Sequence, residues 1–84
     1  MFQEIAKELK LNFEDHSVSA RVKQESYQLY LGKISFSFMP LLEKNGISII
    51  MRQPDEKFGP YQKDELKSKA KREIIAKLSE IIND

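Results

Sequence analysis

The chain contains no cysteine. That excludes disulfide bridges and thiolate metal sites, and it fits a reducing cytosol. Its three glycines, Gly32, Gly46 and Gly59, stand far apart, so no glycine loop can cradle a phosphate. The single histidine, His16, lies between Asp15 and Ser17, which together look like the ingredients of a catalytic triad. Neighbours in extended chain point to opposite faces, so these three cannot converge locally and read as a surface turn. No spacing of histidines and carboxylates gathers a zinc ligand set. The sequence therefore predicts a non-catalytic protein without metal or cofactor. Long apolar runs are missing too. The interval from Phe38 to Leu42 is interrupted by Pro40, and Glu4 and Glu8 fall where a leader would be apolar. No membrane span or signal segment is expected, and a cytoplasmic location follows.

With 84 residues, 40% of them apolar and 32% charged, the chain has the make-up of a single small globular domain, residues 1–84. The net charge of +1 gives no global attraction to nucleic acid. Any electrostatic role must rest on how charge is distributed.

The closing stretch, Asp64 to Asn83, organises the rest. Leu66, Ala70, Ile74, Leu78 and Ile81 recur at three- and four-residue steps, which predicts an amphipathic helix with one apolar stripe. Lys67, Lys69, Lys71 and Arg72 crowd its beginning. Cations there oppose the helix dipole by up to ~1 kcal/mol each, and only Asp64 and Glu65 offset them. Phosphate is one reason for such an arrangement.

Earlier in the chain, Phe2, Ile5, Ala6 and Leu9 predict a short helix over residues 2–10 that must dock to be stable. At Leu11 and Phe13 the period drops to two, and Glu14 to Ser17 reads as a polar break. Val18, Ala20 and Val22 alternate with Ser19, Arg21 and Lys23, predicting a half-buried strand over Ser17 to Gln24. Tyr27, Leu29 and Leu31 alternate on odd positions, and Ile34, Phe36 and Phe38 on even ones. The phase change at Gly32–Lys33 reads as a bulge in preference to a tight turn. Pro40 is expected to end that strand. Asn45-Gly46 opens another over Ile47 to Gln53, with Ile47, Ile49 and Met51 inward and Ser48, Ile50 and Arg52 outward. Pro54-Asp55 and Gly59-Pro60 punctuate an irregular connection. The expected fold is α+β: a short N-terminal helix, a three- to four-stranded antiparallel sheet, and the C-terminal amphipathic helix packed on one sheet face.

The predicted strands contain Arg21, Lys23, Lys33 and Arg52 and no acid, so all 13 acids are assigned to helices, turns or loops. Arg21, Lys23 and Arg52 share the outward face with Tyr30, a pattern that can track a phosphate backbone and stack a base. Asp and Glu are disfavoured in strands in any case, so the same pattern also suits an ordinary solvated surface.

Two resemblances bear on function. Asn45-Gly46-Ile47-Ser48-Ile49-Ile50-Met51, followed by Pro54-Asp55, Phe58 and a closing helix, resembles the sporulation protein G (septation regulator) family. That resemblance implies a small dimeric nucleic-acid-binding regulator. Lys67, Ala70 and Lys71 at the start of the last helix are similar to the K-K-x-A-K signature of the double-stranded-RNA-binding domain, with Ser68 at the second lysine. The leading expectation is a small regulatory domain that contacts the phosphates of DNA or RNA. Its contacts would be Arg21, Lys23, Tyr30 and Arg52 on the sheet and Lys67, Lys69, Lys71 and Arg72 on the helix. The alternative is a protein-interaction or inhibitor module of the kind phages and plasmids encode. It would dimerise or bind a host protein through outward Ile50 and Tyr30, or add a strand at the edge ending in Pro40.

Overall fold

A computed structural model describes residues 1–17 and 25–84. The predicted strand over Ser17 to Gln24, with Arg21 and Lys23, therefore lies outside the described residues except for Ser17, which stands in a turn. Among the described residues the order is α1 (Phe2–Leu9), β1 (Asn12–Asp15), β2 (Tyr27–Leu31), β3 (Ile34–Glu43), β4 (Gly46–Met51), β5 (Glu56–Tyr61), a π-helical turn (Leu66–Ala70) and α2 (Lys71–Asn83). The strands form one antiparallel meander in the order β1-β2-β3-β4-β5. The α+β class is as expected, but five strands stand among the described residues instead of three or four.

Each departure has a local cause. Glu14 and Asp15 belong to β1, paired with Gln28 and Tyr27, so the polar break is an edge strand. Gly32–Lys33 is a two-residue hairpin turn and not a bulge, since Leu31 pairs with Ile34. Gly32 has φ 59°, which suits the first central position of a type II′ turn. A two-residue turn sets odd residues opposite even ones, which is why the apolar phase changes there. Pro40 does not end β3. It faces Ile49 of β4, while paired β2 begins at Tyr27 opposite Phe38, so its missing N–H interrupts no described ladder. The expected irregular connection contains β5, whose Gly59 and Pro60 disguise a strand at the sheet edge. Four acids, Glu14, Asp15, Glu43 and Glu56, thus lie in strands, and the acid-free sheet is corrected accordingly.

α1 ends with Lys10 in the left-handed region at φ 57°. The Leu11 N–H donates to the Ala6 carbonyl at 2.8 Å and the Lys10 N–H to that of Lys7 at 3.4 Å, the paired bonds of a Schellman cap. This turn buries Leu11 and feeds β1. Phe2 fastens the helix to the sheet, stacked on Tyr27 at 4.9 Å and tilted against Phe38 at 5.0 Å.

The sheet is one-sided. Leu29, Phe36, Phe38, Ile49 and Met51 on the inner face join Ile5 and Ala6 of α1, Ala70 of the π-helical turn, and Ile74 and Leu78 of α2 in one core. The closing helix is not uniform, as the sequence had suggested, because its first five residues form a π-helical turn. Leu66, Ala70, Ile74 and Leu78 are all four apart, and in an α-helix each such step drifts about 40° around the axis. The wider turn, closed by i→i+5 bonds, under-rotates and brings Leu66 back toward the core that Ala70 occupies. Gly46, at φ 136°, admits the end of β5. A Cβ there would overlap the Tyr61 carbonyl oxygen.

Candidate nucleic-acid interface

The approach to the last helix is built by a local cap. The Gln62 N–H donates to Glu65 Oε1 at 3.0 Å, and the Glu65 N–H donates back to the Gln62 carbonyl at 3.1 Å. That reciprocal pair satisfies backbone groups at the helix start and fixes the direction in which the cations emerge. With Ala70 fully buried, Lys67, Lys69 and Arg72 project into solvent. Among the described residues none of the three has a carboxylate within 4.0 Å. Exposed Lys63, just upstream, is equally unpaired among them and extends the cluster.

Lys71 departs from this group. Its Nζ lies 3.6 Å from Glu4 Oε2 and 3.6 Å from Glu8 Oε2, so it ties α2 to α1. Two acids one helical turn apart make a double acceptor, and a phosphate would have to compete with both. Lys77 is engaged on the other flank, 2.9 Å from Glu56 Oε1 of β5, and that hydrogen bond pushes its ammonium up. Below it, the Tyr61 hydroxyl donates to the Glu73 carboxylate. Burial first, and then the bond and charge of Glu73, push the Tyr61 phenol well up. The last helix is thus pinned on both flanks through Lys71, Glu73 and Lys77, and Lys67, Lys69 and Arg72 are left over.

Among the described residues the sheet's outer face carries Glu14 and Glu43 as well as Arg52. One cross-sheet row runs Glu14, Gln28, Ser37, Arg52. Within it the Gln28 amide donates to the Ser37 hydroxyl at 2.9 Å, and Glu14 Oε2 sits 2.9 Å from His16 Nε2. Tyr30 is half-buried, and its phenol is pushed up by burial and then by neighbouring Glu14. An acid beside the one tyrosine proposed for stacking disfavours a phosphate there. Farther along, Lys57 Nζ lies 2.7 Å from Glu43 Oε1, and that bond, with the Ser48 hydroxyl behind it, holds the Glu43 carboxyl below its ordinary value. Arg52 is exposed at the end of β4 and has no ion pair among the described residues.

The structure leaves Lys67, Lys69 and Arg72 exposed around the start of the closing helix and assigns Lys71 to the helix–helix contact. It leaves Arg52 and Tyr30 on a mixed surface, and Arg21 and Lys23 fall outside the described residues. Sequence reasoning missed Lys63, although its i, i+4 spacing to Lys67 was visible. A cleft of about 600 Å³ opens beside Lys67, with Phe2, Phe13, Tyr27, Pro40 and Leu66 in its walls. Asp15 and Glu25 line it too, which opposes an anion inside. The triad-like residues form a turn: His16 meets Glu14, Asp15 Oδ1 accepts the Ser17 N–H at 2.9 Å, and the Ser17 hydroxyl accepts the Ser26 N–H at 3.0 Å. No family model, no curated protein and no solved structure matches the chain.

Proposed function

We propose that the protein is a small cytoplasmic regulatory domain that binds the phosphate backbone of nucleic acid. Its contact surface is the start of the closing helix: Lys67, Lys69 and Arg72, with Lys63 beside them. One observation carries this reading. Neighbouring Lys71 and Lys77 are consumed by carboxylates, whereas these cations stay exposed and, among the described residues, unpaired on a segment held by the Gln62–Glu65 cap and by buried Ala70. Free lysines and an arginine on a fixed scaffold attract phosphate without sequence preference, so shape and backbone charge are what the domain reads. The sheet face, with Glu14 and Glu43 among its bases, contributes little.

The test is a fluorescence anisotropy titration of single- and double-stranded DNA and RNA at several salt concentrations. Three phosphate contacts predict a log–log slope of about −2 to −3. Lys67→Glu/Lys69→Glu/Arg72→Glu should abolish binding, while Arg52→Glu/Lys57→Glu should leave it nearly intact. Absence of binding at low salt, or a triple variant that binds like the parent, would overturn the proposal.

A further inference from the structure

We infer that the cleft beside Lys67 takes one unpaired guanine base, from the strand whose phosphates the start of the closing helix holds. The preferred partner is then a single strand. This base contact rests on the phosphate-binding reading and adds to it the one point at which sequence is read. At about 600 Å³ the cleft falls within the ~300–1,000 Å³ usual for sites that enclose a small ligand. The strand register makes one of its walls aromatic. Phe13 pairs with Leu29 and Asp15 with Tyr27, so Phe13 and Tyr27 are diagonal neighbours on one face of β1 and β2. Their rings stack at 6.0 Å, and Phe2 of α1 backs Tyr27 at 4.9 Å. Phe13 and Tyr27 are only half-buried, which leaves aromatic surface toward the cleft for a base to lie against.

The charged groups of the cleft choose the base. Asp15 and Glu25 both line it. They gather near the Tyr27 phenol, which is pushed up by burial and then by the charges of Glu25 and Asp15. Ser17, through its hydroxyl and its N–H, holds the Asp15 carboxyl below its ordinary value. Among the described residues no lysine or arginine stands within 4.0 Å of either acid. An ionised carboxylate accepts hydrogen bonds and cannot donate, so it repels a phosphate and calls for a donor. Guanine presents two donors side by side on its Watson–Crick edge, N1–H and the N2 amino group, spaced for the two oxygens of one carboxylate. Adenine and cytosine set an acceptor beside their amino group, and uracil has one N–H between two carbonyls.

Lys67 joins the cleft to the phosphate surface. It belongs to the wall of the cleft and to the exposed cations at the helix start, so a base lodged inside has a partner for its own phosphate. A cationic side chain would also suit the rings and the acids, but Lys67 would repel it. A ligand that couples a base to a phosphate uses all three features. In a duplex the N1–H of guanine is already paired and its faces are stacked, which bars entry.

Fluorescence anisotropy with two fluorescein-labelled RNA octamers tests this, one of uridine alone and one with a single central guanosine. The guanosine octamer should bind about tenfold tighter. Asp15→Asn/Glu25→Gln should erase that preference and keep the binding of the uridine octamer, since an asparagine at 15 still accepts the Ser17 N–H. Phe13→Leu keeps apolar bulk in the wall and should weaken the guanosine octamer by about tenfold. A hairpin whose guanosines are all paired should be indifferent to Phe13→Leu, with circular dichroism confirming that each variant is folded. Equal affinity for the two octamers would overturn the base contact and leave the phosphate reading standing. So would a preference that survives Asp15→Asn/Glu25→Gln. Failure of both octamers to bind at low salt would remove the phosphate reading and the base contact with it. A labelled peptide carrying one arginine among serines and glycines is the last probe. If it bound, and Asp15→Asn/Glu25→Gln released it while the octamers stayed equal, the cleft would belong to a cationic side chain instead.

Discussion

The two faces of the sheet are made by the same five strands and do opposite work. On the inner face Leu29, Phe36, Phe38, Ile49 and Met51 are sealed under two helices. On the outer face their immediate neighbours Gln28, Ser35, Ser37, Met39 and Ile50 remain at least partly open. Because side chains alternate, every residue of the core is one step from a residue free to meet a partner. Stability is therefore concentrated on one face, and the other is open to change.

The strongest way to break that division is Phe38→Ala. Phe38 touches Phe2 of α1 from the middle of the sheet, and its truncation should cost about 3–5 kcal/mol in chemical denaturation. A loss near 1 kcal/mol would mean the core is loosely packed. Next comes Tyr61→Phe, which leaves Glu73 without its hydroxyl donor and should cost about 1.5–3 kcal/mol. The pH dependence sharpens this. The Tyr61 phenol titrates higher folded than unfolded, so its contribution is complete below pH ~10, the unfolded value, and is lost as pH rises through the folded value. The parent should lose stability on the alkaline side more steeply than Tyr61→Phe does, as thermal melts in a pH series would show.

On the open face Ile50→Ser should cost less than Phe38→Ala, about 1–2 kcal/mol, since Ile50 is only partly buried. A penalty as large as that of Phe38→Ala would abolish the distinction between the faces. The smallest effect belongs to Lys71→Ala. Its bridge to Glu4 and Glu8 is partly exposed, so the loss should stay below about 1 kcal/mol and shrink with added salt. Lys69→Ala should change stability still less.

Much of this division could be read from the sequence, because alternation names the face of each residue even where strand limits are wrong. Period alone puts Ile49 and Met51 inward and sets Leu29, Phe36 and Phe38 on the apolar phases of their strands, and all five are buried, whereas Leu31 and Ile34 on the same phases reach solvent near the hairpin turn. What failed was chain reversal. At Gly32 a phase change looks the same whether the strand slips into a bulge or turns back, and only pairing of Leu31 with Ile34 decides for the turn. β5 was missed because Gly59 and Pro60 resemble a loop, although an edge strand tolerates both. For the candidate site, the cationic cluster was plain in the sequence, but its division was not. Lys71 meets Glu4 and Glu8 across more than sixty residues of chain, a contact that no local spacing announces. Glu14 and Glu43 stand on the outer side of the sheet, where the alternation of neighbouring residues predicts no acid, whereas Asp15 and Glu56 share the row of Phe38 and Met51 on the other side.

The π-helical turn at Leu66–Ala70 has a consequence for how such a surface could change through time. It works as one residue of slack between a rod anchored in the interior and the chain that leads into it. Losing one residue there would return the stretch to ordinary winding with little rotation of the chain before it, because five π-helical and four α-helical residues each sweep a little over one turn, and Ile74 and Leu78 would keep their seats. A lineage could therefore shorten this stretch by a single codon without having to rebuild the interior.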